Sequence, residues 1–148
     1  MKNRNGFLAF GVAIVFLFDV FSKFLVKKFL TSPVEILPIL KLEFVENHNL
    51  AFGIPFPKIL TILLSILVII FFGNFFLKNV NEKSKLGLLA FALILGGALG
   101  NLGERILFGK VTDFIALLGI PNFNLADAAL TIGVILIILF HRRILVEK

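Results

Sequence analysis

Val111-Thr-Asp-Phe-Ile-Ala-Leu-Leu-Gly-Ile-Pro-Asn-Phe-Asn-Leu-Ala-Asp127 is an apolar stretch with a carboxylate near each end, Asp113 and Asp127. Long apolar runs flank it, Leu86 to Leu102 before and Leu125 to Phe140 after. A carboxylate at the edge of hydrocarbon is costly and seldom stands there without a role. Two carboxylates brought together by one loop can share a proton and activate a water. The stretch therefore reads as a join between two membrane spans that carries a candidate acid–base pair.

Outward from this join, the rest of the chain has the same character. It has 148 residues, 59% of them hydrophobic, against about 45–50% in a soluble domain. The excess falls in four runs, at approximately 7–26, 59–77, 86–102 and 125–140. Each is long enough to be a candidate for crossing a ~30 Å hydrocarbon core. The expected fold is an all-α polytopic membrane protein with four transmembrane helices, residues 1–148 forming one membrane-embedded domain. There are no cysteines, which excludes disulfides, thiolate zinc sites and a cysteine nucleophile. Phe occurs 19 times while Tyr and Trp are absent, so interface anchoring falls to Lys, Arg and Asn. The net charge of +6 comes without a basic helix or stripe, which argues for membrane orientation rather than nucleic-acid binding.

The first run resembles a secretory leader, because Lys2 and Arg4 precede it. It also holds Asp19 and Lys23, and no small-residue cleavage site follows, so it reads as a retained helix. Asp19 and Lys23 are four apart and share one helical face. They form either a neutralised pair that lets the helix insert or a brace for a polar site. Between approximately 33 and 53 the pattern changes. Pro33 and Pro38 break helix, and Leu40-Lys-Leu-Glu-Phe44 alternates with period two. This predicts a small extracytoplasmic β element. The polar tip Glu46-Asn-His-Asn49 then runs into Leu50-Ala-Phe-Gly53; its two amides could bind an extended peptide backbone.

Gly96 and Gly100 in the third run have the spacing that lets helices approach closely. Asn101, Glu104 and Arg105 close that run, with Glu104 and Arg105 expected to pair with each other. Asn124 and Asp127 open the fourth run, where a helix N-terminus favours acceptors and negative charge. Four spans leave both termini on one side, with eight basic and two acidic residues; the other side has seven of each. The positive-inside rule makes the termini cytoplasmic and the candidate site extracytoplasmic.

His48 and His141 fall on opposite faces and no His-Glu-x-x-His is present, so no metal site is expected. A Gly-x-Ser-x-Gly nucleophile elbow is also absent. Asp113 and Asp127 remain, with Asn101, Arg105 and Asn124 near the same edge. Either aspartate alone reads more readily as a cap, Asp113 of a loop helix and Asp127 of the fourth span; the two together, with Asn and Arg alongside, balance that reading with the acid–base one. Two rival classes stay open on pattern: a small ion- or proton-translocating protein using its carboxylates, and a scaffold assembled through the Gly96/Gly100 face.

Five pieces in order now matter together: Asp19-Val-Phe-Ser-Lys23, Asn47-His-Asn-Leu-Ala-Phe-Gly53, Gly96-Gly-Ala-Leu-Gly-Asn-Leu-Gly-Glu-Arg105, Val111-Thr-Asp-Phe-Ile115 and Phe123-Asn-Leu-Ala-Asp127. In sequence and spacing the chain resembles the lipoprotein signal peptidases, or type II signal peptidases, over almost its whole length. The resemblance implies an aspartyl endopeptidase of the bacterial inner membrane. Its substrates would be diacylglyceryl-modified prolipoproteins, cut on the N-terminal side of the lipidated cysteine. The catalytic pair would be Asp113 and Asp127, supported by Asp19, Lys23, Asn47, Asn101, Arg105 and Asn124. No cofactor or metal is implied; membrane lipid and globomycin-type cyclic peptide inhibitors are implied as partners. The family also implies a β cradle and a mobile outer-face helix or loop, here Phe114 to Pro121. Ile115, Leu117, Leu118 and Ile120 would then form a lid dipping into the outer leaflet. Two positions depart from the family pattern: Glu104 stands for the usual Asp, and Asn49 for Gly.

Overall fold

The computed structural model describes residues 2–48, 57–81 and 83–146. Within them the order is α1 (Lys2–Phe29), β1 (Val34–Leu37), β2 (Leu40–Asn47), α2 (Lys58–Asn79), α3 (Lys85–Phe108), β3 (Val111–Leu117), β4 (Ile120–Phe123), α4 (Leu125–Leu139) and a short α5 (His141–Ile144). The chain is mostly helical, with one small antiparallel sheet. By length and composition, Arg4–Phe29, Lys58–Asn79 and Lys85–Phe108 are able to cross a membrane; the apolar α4 is shorter. The expected β element extends past Asn47, and Asn49 to Gly53 lie outside the described residues.

The glycines of α3 decide how the helices pack. A methyl group on Gly96 would lie 2.6 Å from Val15 Cβ, and one on Gly11 would lie 2.9 Å from Ala92 Cβ. Gly100 faces Asp19. Positions 11, 15 and 19 of α1 thus meet 92, 96 and 100 of α3, so the two helices run parallel along a seam of small residues. On its other side α3 meets α4 in the opposite sense. Gly97 lies against the Ala126 carbonyl and Gly133 against the Ala90 carbonyl, which makes that pair antiparallel. The Gly96/Gly100 face expected of a scaffold is therefore occupied within the chain by α1.

One end of the bundle gathers the chain termini. Phe76, Val80, Ala90, Phe91 and Ile144 form a buried cluster there, and the Phe75 and Phe91 rings stack at 6.1 Å. Val80 bridges to Leu145, and Arg4 donates to the Val80 carbonyl. The sheet lies at the other end.

That sheet corrects one expectation. Phe114 to Pro121 is a hairpin and not an open loop or a helix: β3 and β4, joined by a turn at Leu118 and Gly119, add to β1 and β2 in a four-stranded sheet of order β1-β2-β3-β4. β3 is buried on both faces over Val111 to Phe114. Because both faces are covered, the run Phe114-Ile-Ala-Leu117 is apolar without alternation, and the buried Thr112 and Asp113 before it break any period of two. The turn to β4 uses Gly119 with φ 81°, a conformation that glycine adopts without steric cost. β2 forms where alternation predicted it and pairs with β3 from Leu40↔Leu117 to Asn47↔Val111. Val34, Ile36, Ile39 and Leu118 remain exposed on the sheet.

Gly96→Val tests the α1–α3 seam. Overpacking at this contact is expected to cost about 1–3 kcal/mol, read as a lower thermal unfolding midpoint of the detergent-purified protein. An unchanged midpoint would mean the helices do not touch there.

Candidate active site

The site grows from a charge buried in α1. Asp19 and Lys23 are 1% and 2% exposed, and Lys23 Nζ donates to Asp19 Oδ2 at 2.6 Å. The other Asp19 oxygen accepts from the Ala126 backbone N–H at 2.9 Å, at the start of α4. Lys23 also donates to Asn101 Oδ1 at 2.9 Å. An ammonium only donates, so this contact turns the Asn101 carbonyl toward Lys23 and its NH2 away. That NH2 reaches Asp127 Oδ1 at 2.8 Å.

Asn124 is fixed by the same logic. It caps α4 in a reciprocal box: its Oδ1 accepts from Asp127 N–H at 3.0 Å, and Asp127 Oδ2 accepts from Asn124 N–H at 3.2 Å. Its oxygen is committed to a donor, so its Nδ2 points outward. Nδ2 donates to Asp113 Oδ1 at 2.8 Å and to Asn101 Oδ1 at 3.2 Å. Asn47, at the end of β2, donates to Asp113 Oδ2 at 2.8 Å. One residue, fully buried Asn124, therefore contacts both aspartates, which come from a strand and a helix.

Both carboxylates line one cavity of about 630 Å³. Asn47, Asn101, Arg105 and Asn122 contribute to its polar wall, and Leu64, Val68, Leu130 and Ile132 to its apolar wall. Arg105 acts on both aspartates through its charge, yet no residue among those described lies within ion-pair distance of its guanidinium. Burial pushes the Asp113 carboxyl up to about 6. The Asn47 amide opposes this rise, the nearby Asp127 charge adds to it, and the Asn124 amide opposes it. A carboxyl held in that range is a ready proton donor near neutral pH.

The structure thus brings Asp19, Lys23, Asn47, Asn101, Arg105, Asp113, Asn124 and Asp127 to one end of the bundle. It corrects the expected Glu104–Arg105 pair. Adjacent helical residues point in different directions, and Glu104 instead bonds Lys27 at 2.5 Å and approaches Lys23 at 3.4 Å. It also accepts from the Thr112 N–H and hydroxyl. Sequence reading missed the roles of Lys27, which lies in no motif, and of Thr112, which lies within Val111–Ile115 but was not singled out there. It also missed the tie from Asn122 on β4 to Glu43 on β2 at 2.7 Å. The expected peptide-binding amide Asn49 lies outside the described residues.

Comparison with known proteins fits this geometry. The family model described as signal peptidase (SPase) II matches residues 11–143. The lipoprotein signal peptidase of Aquifex aeolicus is 38% identical over 145 residues, covering 92% of this chain and 86% of that one. That of Chlorobaculum tepidum is 40% identical over 121 residues, covering 74% and 75%. A solved bacterial membrane enzyme superposes with a TM-score of 0.82 at 32% identity, covering 90% of this chain and 86% of that one. With its charged first helix, its four-stranded sheet and its paired aspartates now in place beside these matches, the chain belongs to the signal peptidase II family.

Proposed function

We propose that this chain is an intramembrane aspartyl endopeptidase acting on diacylglyceryl-modified prolipoproteins, cutting on the N-terminal side of the lipidated cysteine. Family membership carries the broader statement: the activity is removal of signal peptides from prolipoproteins by a multi-pass protein of the bacterial inner membrane. It leaves the ion-translocating alternative without support. The aspartyl chemistry is supported by one observation above the rest: Asn124 holds Asp113 and Asp127 at once, on the wall of a shared cavity.

Asp127, half-exposed, is the ionised partner and takes a proton from the attacking water. Asp113 is the protonated partner and gives its proton to the scissile carbonyl as the tetrahedral diol forms. Collapse of the diol returns a proton to Asp113, and Asp127 passes its own to the departing amine. The apolar wall suits a signal-peptide helix and acyl chains, and the Arg105 guanidinium is available to a substrate carbonyl. A globomycin-type cyclic peptide would occupy the same cavity.

Four spans with both termini cytoplasmic fit this role. At about 1.5 Å per residue, α4 with its 15 residues is about 22 Å long. It falls short of the ~30 Å core, and the short α5 follows it directly at His141. Arg4 and Leu145 both meet Val80 in the α2–α3 connection, which places Lys78, Lys83 and Lys85 at the same end as Arg142 and Arg143 of α5. The positive-inside rule then turns the site outward. The exposed tip around Leu118 then meets the outer leaflet and serves as the lid.

Two measurements test the mechanism. With a diacylglyceryl-modified prolipoprotein in detergent, Asp113→Asn and Asp127→Asn should each lower kcat by about 10³-fold or more, seen as loss of the size shift on a gel. Retained turnover in either variant would refute the dyad. In the free enzyme Asp113 keeps its proton below about pH 6 and loses it above, so kcat/KM should fall as pH rises through about 6. A profile flat from pH 5 to 8 would remove Asp113 as the acid.

A further inference from the structure

Glu104 is 8% exposed, stands behind the dyad and does not line the cavity. Its two oxygens meet four groups. Oε1 accepts from Lys27 Nζ at 2.5 Å and from Thr112 Oγ1 at 2.9 Å. Oε2 accepts from the Thr112 backbone N–H at 2.7 Å and lies 3.4 Å from Lys23 Nζ. Thr112 immediately precedes Asp113 and is 2% exposed.

The backbone explains the need for this grip. β4 pairs with β3 only at Ile115 and Leu117. Three residues earlier, where β2 still pairs with β3 but β4 does not, the Thr112 N–H is taken by the Glu104 carboxylate. A buried N–H without a partner is unfavourable, so the carboxylate takes the place of a missing strand at the point where β3 delivers Asp113. Lys27 keeps Glu104 in place from α1, and its ammonium also sits 4.8 Å from the Phe108 ring centroid. Lys23, shared between Glu104 and Asn101, ties this grip to the contact that holds Asp127.

We propose that Glu104 is a positioning residue of the reaction: by holding Thr112 through both its N–H and its hydroxyl, it sets Asp113 opposite Asp127. The proposal rests on the peptidase reading above. It assigns work to a position outside the eight expected site residues. The longer Glu side chain, in place of the family's usual Asp, spans from α3 to Lys27 and Thr112 together.

The test measures kcat and KM for prolipoprotein cleavage by detergent-purified Glu104→Gln, Thr112→Val and Thr112→Ser, with thermal midpoints to give the folded fraction. Gln keeps the shape but turns an NH2 toward a lysine or toward Thr112. Val keeps the volume of Thr and loses only the hydroxyl; Ser keeps the hydroxyl. A displacement of the reacting group by about 1 Å can cost up to about 100-fold. Glu104→Gln should therefore lower kcat per folded molecule by about 10-fold or more, with KM within about twofold. Thr112→Val should lower kcat by about 3- to 10-fold and Thr112→Ser by less than about twofold. If Glu104→Gln does not fold, the Val–Ser pair decides. Equal kcat for Thr112→Val and Thr112→Ser, or wild-type kcat per folded molecule in Glu104→Gln, overturns the proposal and leaves the peptidase reading standing. A wild type that cleaves no better than Asp113→Asn overturns both.

Discussion

One buried ammonium sets the polarity of the whole site. Moving a charged amine out of water costs several kcal/mol unless it is paired and fully bonded. Lys23 meets that demand with oxygens from Asp19 and Asn101 and with the nearby Glu104. Because it can only donate, every neighbour must turn an acceptor inward and, where it is an amide, a donor outward. Asn101 passes this direction on to Asp127. Asn124, turned by the start of α4, does the same for Asp113. Both aspartates are therefore offered N–H groups by a scaffold with little freedom to reverse.

The small residues of α3 and the charges of α1 belong to one arrangement. Asp19 sits against Gly100, one turn beyond the Val15–Gly96 contact. A larger residue at 100 would push the carboxylate away from the Ala126 N–H it now reaches. Close helix packing and a satisfied buried charge thus depend on the same absent side chains. On the far side of α3, Gly97 lets α4 start close enough for Asn101 and Asn124 to touch.

Local periodicity made much of this legible in the chain itself. The long apolar runs, the Asp19–Lys23 spacing and the Leu40–Phe44 alternation each express a contact within a few residues. The runs formed helices, and the pair and the strand formed as read. The fourth run, read as a span, gave a helix shorter than the other three. The hairpin of β3 and β4 was hidden, because a strand covered on both faces looks like any apolar run. Glu104 was misread for a related reason. Its partners lie 77 positions away at Lys27 and eight positions away at Thr112, while the adjacent Arg105 offered a pairing that helix geometry forbids. Asn124 was readable as a cap but not as the residue that also holds Asp113, since that second bond exists only once the sheet has formed. For the candidate site, the sequence named most of the residues and left their wiring to the fold.

The reciprocal cap on α4 has a further consequence. The same amide that starts the helix also grips one aspartate, while the helix's third residue is the other. Under the proposed aspartyl mechanism, thermal robustness and turnover therefore draw on shared atoms at this spot. A library of random variants sorted only for heat resistance would keep a good cap at position 124, but only those retaining Asn would also keep the amide that donates to Asp113.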